Sequence, residues 1–525
     1  MRPNHKALLG LVACLMAFGQ KQDGSIEGKL LDAQTGRPLP NVELLILISG
    51  VGKPLKTAAD GSYSVTDLAA GAYFLTMSYT SGYSTNGRRL NLLGGQHLTG
   101  IDVKAVKAAV LAGRLLDPDK RPVAGASVQA RVPAYLNGRL SSSVMSTKTN
   151  DLGEYRIAYL SPGAYYVMVE QPKLAIRKST TTDGDAKERE PVLAAARTWY
   201  PNSPTWQGAL AVNLVPGEQH EGLDITLIRE PTVCVRSRLV ETVSDGRAQI
   251  LAQVVEDVPG GMSTTAEGRF TREESVEVCG IPPGAYRFRA VRREENGDER
   301  YASEAFVVSK RPVRVADLVL KPLPEMRGRL VIEGGGDPPT LPKPVSVSVH
   351  QTDLMTIVRP GAYARLTQPG PFVLPAVFPE ELCLDVYPPP GVYVKSATVK
   401  GIDVLRATFH ASDGELEIVL GADGPSISGV VVDKDNQPVP GALILLGADP
   451  LPSPLAPHDL LHQIPDQDGR FKFTGMPPGK YRLLAFADYE LDSMRSPEFF
   501  RAHSFDGESL TLAAKEVRSV TCVAK

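Results

Sequence analysis

The residues best suited to chemistry fall in three places. His458-Asp459-Leu460-Leu461-His462 holds the closest pair among the 8 histidines of the chain. Its spacing mimics the H-E-x-x-H zinc motif, where a helix sets both imidazoles on one side of a metal and the acidic residue is the general base. Asp replaces Glu here, Pro450, Pro452, Pro454 and Pro457 precede it, and no third ligand accompanies it. His458 and His462 therefore read as loop residues before they read as zinc ligands. The second place is Thr198-Trp199-Tyr200-Pro201-Asn202-Ser203-Pro204-Thr205-Trp206, which contains both tryptophans. Trp199, Tyr200 and Trp206 are a candidate stacking platform for sugar rings. The competing reading is that Trp199 and Tyr200 anchor the chain onto a core. Third, Cys234 and Cys279 fall on two predicted strands of one stretch and are candidate disulfide partners across its core, against two buried thiols. Cys383 and Cys522 read as core residues.

Other chemistries lack their residues. No G-x-S-x-G elbow with a triad pattern is present, and no glycine-rich loop follows a strand and opens a helix. Glu380-Glu381 and the Asp466/Asp468 pair fall at turns, where acidic side chains serve the backbone. Asp435 lies near them in sequence pattern, but the oxygen-rich calcium loop is missing. Tyr79, Tyr83, Tyr387 and Tyr393 are weaker aromatic candidates. With 57 basic and 59 acidic residues the chain has no electrostatic footprint for nucleic acid. No cofactor is implied, and the sequence predicts a protein that is not an enzyme.

The elements that must position these residues repeat roughly every hundred residues. The clearest copy is Asp468-Gly469-Arg470-Phe471-Lys472-Phe473-Thr474-Gly475-Met476-Pro477-Pro478-Gly479-Lys480-Tyr481-Arg482-Leu483. Asp-Gly and Pro-Gly are turn signals, and Phe471 and Phe473 alternate with Lys472 as in a half-buried strand. The unit is predicted to be one β-hairpin. It recurs from Asp60-Gly61, Asp151-Leu152-Gly153, Glu267-Gly268 and Pro369-Gly370, with Glu380 standing where the fourth copy should have its second turn glycine. A partner signature precedes it: Gly28-Lys29-Leu30-Leu31-Asp32, Gly113-Arg114-Leu115-Leu116-Asp117 and Gly429-Val430-Val431-Val432-Asp433. The 48 glycines and 43 prolines punctuate many short strands. The fold class predicted is all-β, a tandem array of about five Ig-like or prealbumin-like β-sandwich modules.

The first residues read as an export signal: basic Arg2, His5 and Lys6, then an apolar run from Ala7 to Gly19 too short to cross a bilayer comfortably. Cleavage before Gln20 is favoured. The rival is a lipobox at Leu11-Val12-Ala13-Cys14, with a lipid anchor on Cys14 as the route to the membrane. The division predicted is residues 1–22 as signal, 23–107 as module one, and 108–230 as module two with an inserted exposed loop at 171–198. Residues 231–322 and 323–422 are divergent modules three and four, and 423–525 is module five. A short helix is expected at 190–197.

The paired signatures resemble the carboxypeptidase regulatory-like domain, a transthyretin-like sandwich close to carbohydrate-binding-like folds. Modules one, two and five match well, and three and four in part. The resemblance implies accessory, non-catalytic domains, in an arrangement similar to that of exported proteins of soil bacteria. It fixes no chemistry. The expected function is therefore an exported binding protein for a glycan or cell-envelope polymer. The alternative is a structural spacer or adhesin-like rod that meets another surface protein, and a metal-dependent hydrolase is a distant third.

Overall fold

The computed structural model describes residues 24–48, 51–78, 80–85, 87–136, 139–170, 173–179, 192–241, 249–258, 261–293, 299–334, 341, 343–351, 362–453, 455–456, 459–487 and 497–525. The proposed signal, Cys14, Tyr79 and His458 lie outside them. The protein is all-β, with one short α-helix, Pro497–His503, among the described residues.

One pattern recurs five times along the chain. In the first copy the opening strand Gly24–Asp32 pairs antiparallel with Ser62–Leu68 and parallel with the closing strand Val103–Lys107. The apolar strand Glu43–Ile48 pairs instead with Val51–Lys56 and Gly71–Met77 in a second sheet. Alternating residues of both sheets, among them Ile26, Leu30, Leu44, Ile46, Tyr63 and Leu75, meet in one core. The last copy does the same with Ser426–Val432, Arg470–Phe473 and Val517–Val523 facing Leu443–Ala448, Leu460–Gln463 and Gly479–Phe486.

This pairing corrects the reading of the repeated unit as a hairpin. Arg470–Phe473 and Gly479–Phe486 lie in different sheets, so the unit is an arch that crosses the sandwich. A left-handed residue marks the end of its first strand in every copy. Asp67 (φ 59°), Tyr159 (φ 63°), Gly280 (φ 98°), Ala376 (φ 53°) and Gly475 (φ 74°) occupy the same place in the five copies. In the first three it forms a bulge: the residue after it still pairs in the first sheet, as Leu68 with Gly24, Leu160 with Ala109 and Ile281 with Val233, and the chain crosses to the second sheet only beyond that pair. Two of the five are glycine, so sequence similarity alone does not reveal the position.

The motif residues now have reasons. A Cβ on Gly28 would sit 2.0 Å from the Ile101 carbonyl oxygen, and one on Gly113 2.2 Å from that of Leu223. The closing segment passes so near that only glycine fits. Across each glycine an arch tyrosine donates to that same carbonyl: Tyr155 Oη reaches the Leu223 oxygen at 2.6 Å, and Tyr63 bonds the Ile101 oxygen. The second arch tyrosine donates four residues back, Tyr73 to Ala69, Tyr165 to Ser161, Tyr286 to Pro282 and Tyr481 to Pro477, at 2.6–3.0 Å. The fourth copy has Leu382 there and lacks the bond. Gly268, expected at a turn, lies inside the strand Gly261–Phe270.

The stretch expected to be an exposed loop, 171–198, carries strands. Leu174–Ala175 and Arg177–Lys178 add to the two sheets of the third copy, and Val192–Ala195 pairs with the start of Arg229–Glu241. The helix expected at 190–197 is thus a strand over 192–195. Hydrogen bonding to the next sandwich prevails over local composition here.

Candidate functional site: the aromatic cluster of the second module

The strand Gly163–Val169 sends Tyr165, Val167 and Val169 into the core of the second sandwich, so Tyr166 and Met168 face outward. Thr198–Trp199 pairs with this strand, Trp199 opposite Met168, which places the indole on the outer face. It is nevertheless 2% exposed. The chain closes a tight loop, the Trp199 and Ser203 backbones exchanging bonds of 2.7 and 2.8 Å around a cis Tyr200-Pro201 peptide. A 3-10 turn at Trp206–Gly208 then lays Trp206 edge-on over Trp199, centroids 5.2 Å apart. Tyr166 also packs against Trp206, with ring centroids 4.1 Å apart. Tyr200 is half-buried against the core.

The structure therefore brings Trp199, Tyr200 and Trp206 together but not as three open faces. Trp199 is an anchor, Trp206 its cover, and the partly exposed pair is Tyr166 with Trp206. Sequence reasoning missed Tyr166. The signal was available, since Tyr165-Tyr166 in a strand must put one ring inside and the other outside. Of the weaker candidates, Tyr393 is buried, Tyr83 packs on the first core and Tyr387 is exposed.

The histidine motif does not form a metal site among the described residues. Leu460–Gln463 is a strand, so His462 lacks the helix the motif requires. Asp459, the would-be base, accepts from Arg406 at 2.7 and 2.9 Å and from the Ala456 N–H at 2.6 Å. Cys234 and Cys279 face each other on neighbouring strands, sulfurs bonded at 1.91 Å, beside a Glu277 held by Arg236. The bridge joins two strands of one sheet rather than crossing the core, because both strands belong to the same face of the sandwich. Cys383 and Cys522 are buried thiols, and burial pushes the Cys522 thiol up to about 12.

The turn carboxylates serve the backbone. Asp32 accepts the Gln34 and Thr35 N–H groups, Asp433 those of Asp435 and Gln437, and Asp466 those of Asp468 and Arg470, all at 2.8–3.0 Å. These bonds, led by the one from Thr35, hold the Asp32 carboxyl below its ordinary range. Glu218 and Glu516 are likewise lowered, each chiefly by the backbone N–H it accepts, from Val215 and Ala513.

The sequence profile of the carboxypeptidase regulatory-like domain matches residues 25–105 and 110–194. These stretches are two tandem carboxypeptidase regulatory-like domains. The aromatic loop follows directly on the second of these regulatory-like domains, and the segment 174–178 falls inside it. No curated protein matches the chain. Among solved structures, the Bacillus anthracis TIE protein is 12% identical, over 57% of this chain and 51% of that one, with a TM-score of 0.16. This chain thus spans about half the length of that protein. The major pilin subunit BcpA of Bacillus cereus is 8% identical, over 95% and 98% of the two chains, at 0.14. A streptococcal ancillary pilin is 12% identical, over 56% and 98%, at 0.18. Superpositions at these scores transfer no property to this chain.

Proposed function

We propose that this chain is a non-catalytic exported scaffold that holds five sandwiches, at 23–107, 108–230, 231–322, 323–422 and 423–525, in fixed mutual positions and meets a surface protein or envelope component through them. The observation that carries this is that neighbours share packing. Tyr301 and Val291 of the third sandwich belong to the core of the fourth, as does Ala456 of the fifth. Tyr301 donates to Glu380 at 2.5 Å and meets Phe378 edge-on at 5.0 Å. Glu380, which breaks the repeat in sequence, is thus a joint residue, also taking a 2.8 Å bond from Gln351. Arg406 and Asp459 tie the fourth sandwich to the fifth. Ser84 and Ser161, 2.7 Å apart, and the Gly217 N–H on the Lys107 carbonyl at 2.8 Å join the first two. Such joints restrict the relative motion that loosely linked domains show by default.

A second contact shapes the array. Asn91 and Gln467 exchange two hydrogen bonds of 3.4 Å, bringing the first and fifth sandwiches side by side. On this reading the scaffold is closed on itself rather than drawn out as a rod. Small-angle scattering tests this directly. A compact body of this length has a radius of gyration of about 23 Å, and an extended array of the same units has a clearly larger one. The larger value, or a scattering curve that needs an ensemble of arrangements, would overturn the fixed scaffold.

Glycan binding is kept as the second reading because Tyr166 and Trp206 leave ring surface at the outer face. Saturable binding to a polysaccharide array, lost in a folded Tyr166→Ala/Trp206→Ala variant, would favour it; no binding by either protein would remove it.

A further inference from the structure

The third sandwich is closed by residues that are not its own. Its two sheets expose facing edges at Gly261–Phe270 and Glu274–Ile281, and the segment Leu174–Lys178 of the second module runs between them. Leu174 and Ala175 pair parallel with Ala266 and Glu267, and the Ile176 N–H donates to the Glu267 carbonyl at 2.9 Å. One residue on, the segment changes sheets: Arg177 and Lys178 pair antiparallel with Glu277 and Val276, and the Ser179 N–H donates to Ser275 at 2.8 Å. Ile176, at the crossing point, is 5% exposed and belongs to the core of the third sandwich with Val235, Ala266 and Val278.

The acceptor is shaped for this occupant. A Cβ on Gly268 would stand 2.6 Å from the Ile176 carbonyl oxygen and 2.9 Å from its Cβ. The glycine that looked like a turn residue is the floor of a slot. Leu174 lies over Gly280, where a Cβ would meet its methyl groups at 3.3 Å. The rim carries Glu267 and Glu274, with Glu277 already held by Arg236, and Lys178 pairs with Glu274 at 3.1 Å. Main-chain bonds on both edges, one aliphatic anchor and a charge match are the ingredients of recognition by strand addition.

We propose that the third sandwich is a strand acceptor whose ligand is an extended peptide with an aliphatic residue and a basic one two positions on, supplied in this chain by Ile176 and Lys178. The supply in cis raises the local concentration of the segment far above what a free peptide reaches, so the slot of the intact chain is filled. An emptied slot accepts the same peptide in trans.

The test uses the full chain and a fluorescein-labelled peptide of residues 173–179. The Ile176→Asp chain, its own segment expelled, binds the peptide saturably, while the wild-type chain binds at least about tenfold more weakly. A peptide carrying the same substitution binds neither. Equal binding to both chains, or none to a folded Ile176→Asp chain, overturns the proposal. Hydrogen exchange on the wild-type chain decides the matter if that variant does not fold. The Ile176 and Ser179 amides are expected to exchange at least about a hundredfold more slowly than in the free peptide, and to lose that protection in Gly268→Val. Unprotected amides in the wild-type chain overturn the proposal whatever the variants do.

Discussion

At the scale of single residues, the two tryptophans separate into different jobs. Trp199 is enclosed, so Trp199→Ala removes a large side chain from a packed site and is expected to cost about 3–5 kcal/mol. Trp206 covers it from the solvent side, and Trp206→Ala is expected to cost clearly less. Urea unfolding followed by circular dichroism compares the two, and equal losses would show that Trp206 is as much an anchor as Trp199. Tyr155 illustrates the same logic for a polar atom. Its hydroxyl reaches a carbonyl across a glycine that has no room for a side chain, so the pair Gly113 and Tyr155 is one device. Changing either leaves the Leu223 carbonyl without that donor or pushes the closing segment away.

At the scale of elements, the third sandwich depends on covalent as well as non-covalent closure. The bridge Cys234–Cys279 closes a loop with a sequence separation of 45 residues and fastens the acceptor strand Glu274–Ile281 to its neighbour. The Cys234→Ala/Cys279→Ala chain is expected to lose about 2–4 kcal/mol, with the loss confined to the third sandwich in hydrogen exchange. A uniform loss across the chain, or none, would count against the bridge. Much of this element structure was legible in the sequence: strand period, turn glycines and the paired signatures mark the repeat and its all-β class. Two things were not. The arch looks like a hairpin because Asp-Gly and Pro-Gly announce turns without saying which sheet the chain enters next, and the left-handed residue at the end of its first strand is Asp, Tyr or Ala as well as Gly. Residues 174–178 look like loop because their partners lie in another module, and hydrophobic periodicity reports only the local face. At the candidate site, the rings were found from composition, but their burial depends on a 3-10 turn that folds one indole over the other.

At the scale of the whole molecule, the joints differ in kind. Those between successive sandwiches include buried residues such as Ile176 and Tyr301, whereas the contact of the first with the fifth rests on exposed amides. Asn91→Asp/Gln467→Asp places like charges there and is expected to raise the radius of gyration while leaving the melting temperature unchanged. A scattering curve identical to that of the wild type would show that other forces hold the ends together. The donated segment also sets an order in time. Ile176 leaves the ribosome before its acceptor exists, and at about 5–20 residues per second the roughly ninety residues to Glu267 take on the order of 5–20 s. During that interval an aliphatic side chain that ends in a core is without one, so the third sandwich is completed only when the chain reaches back to what was made earlier.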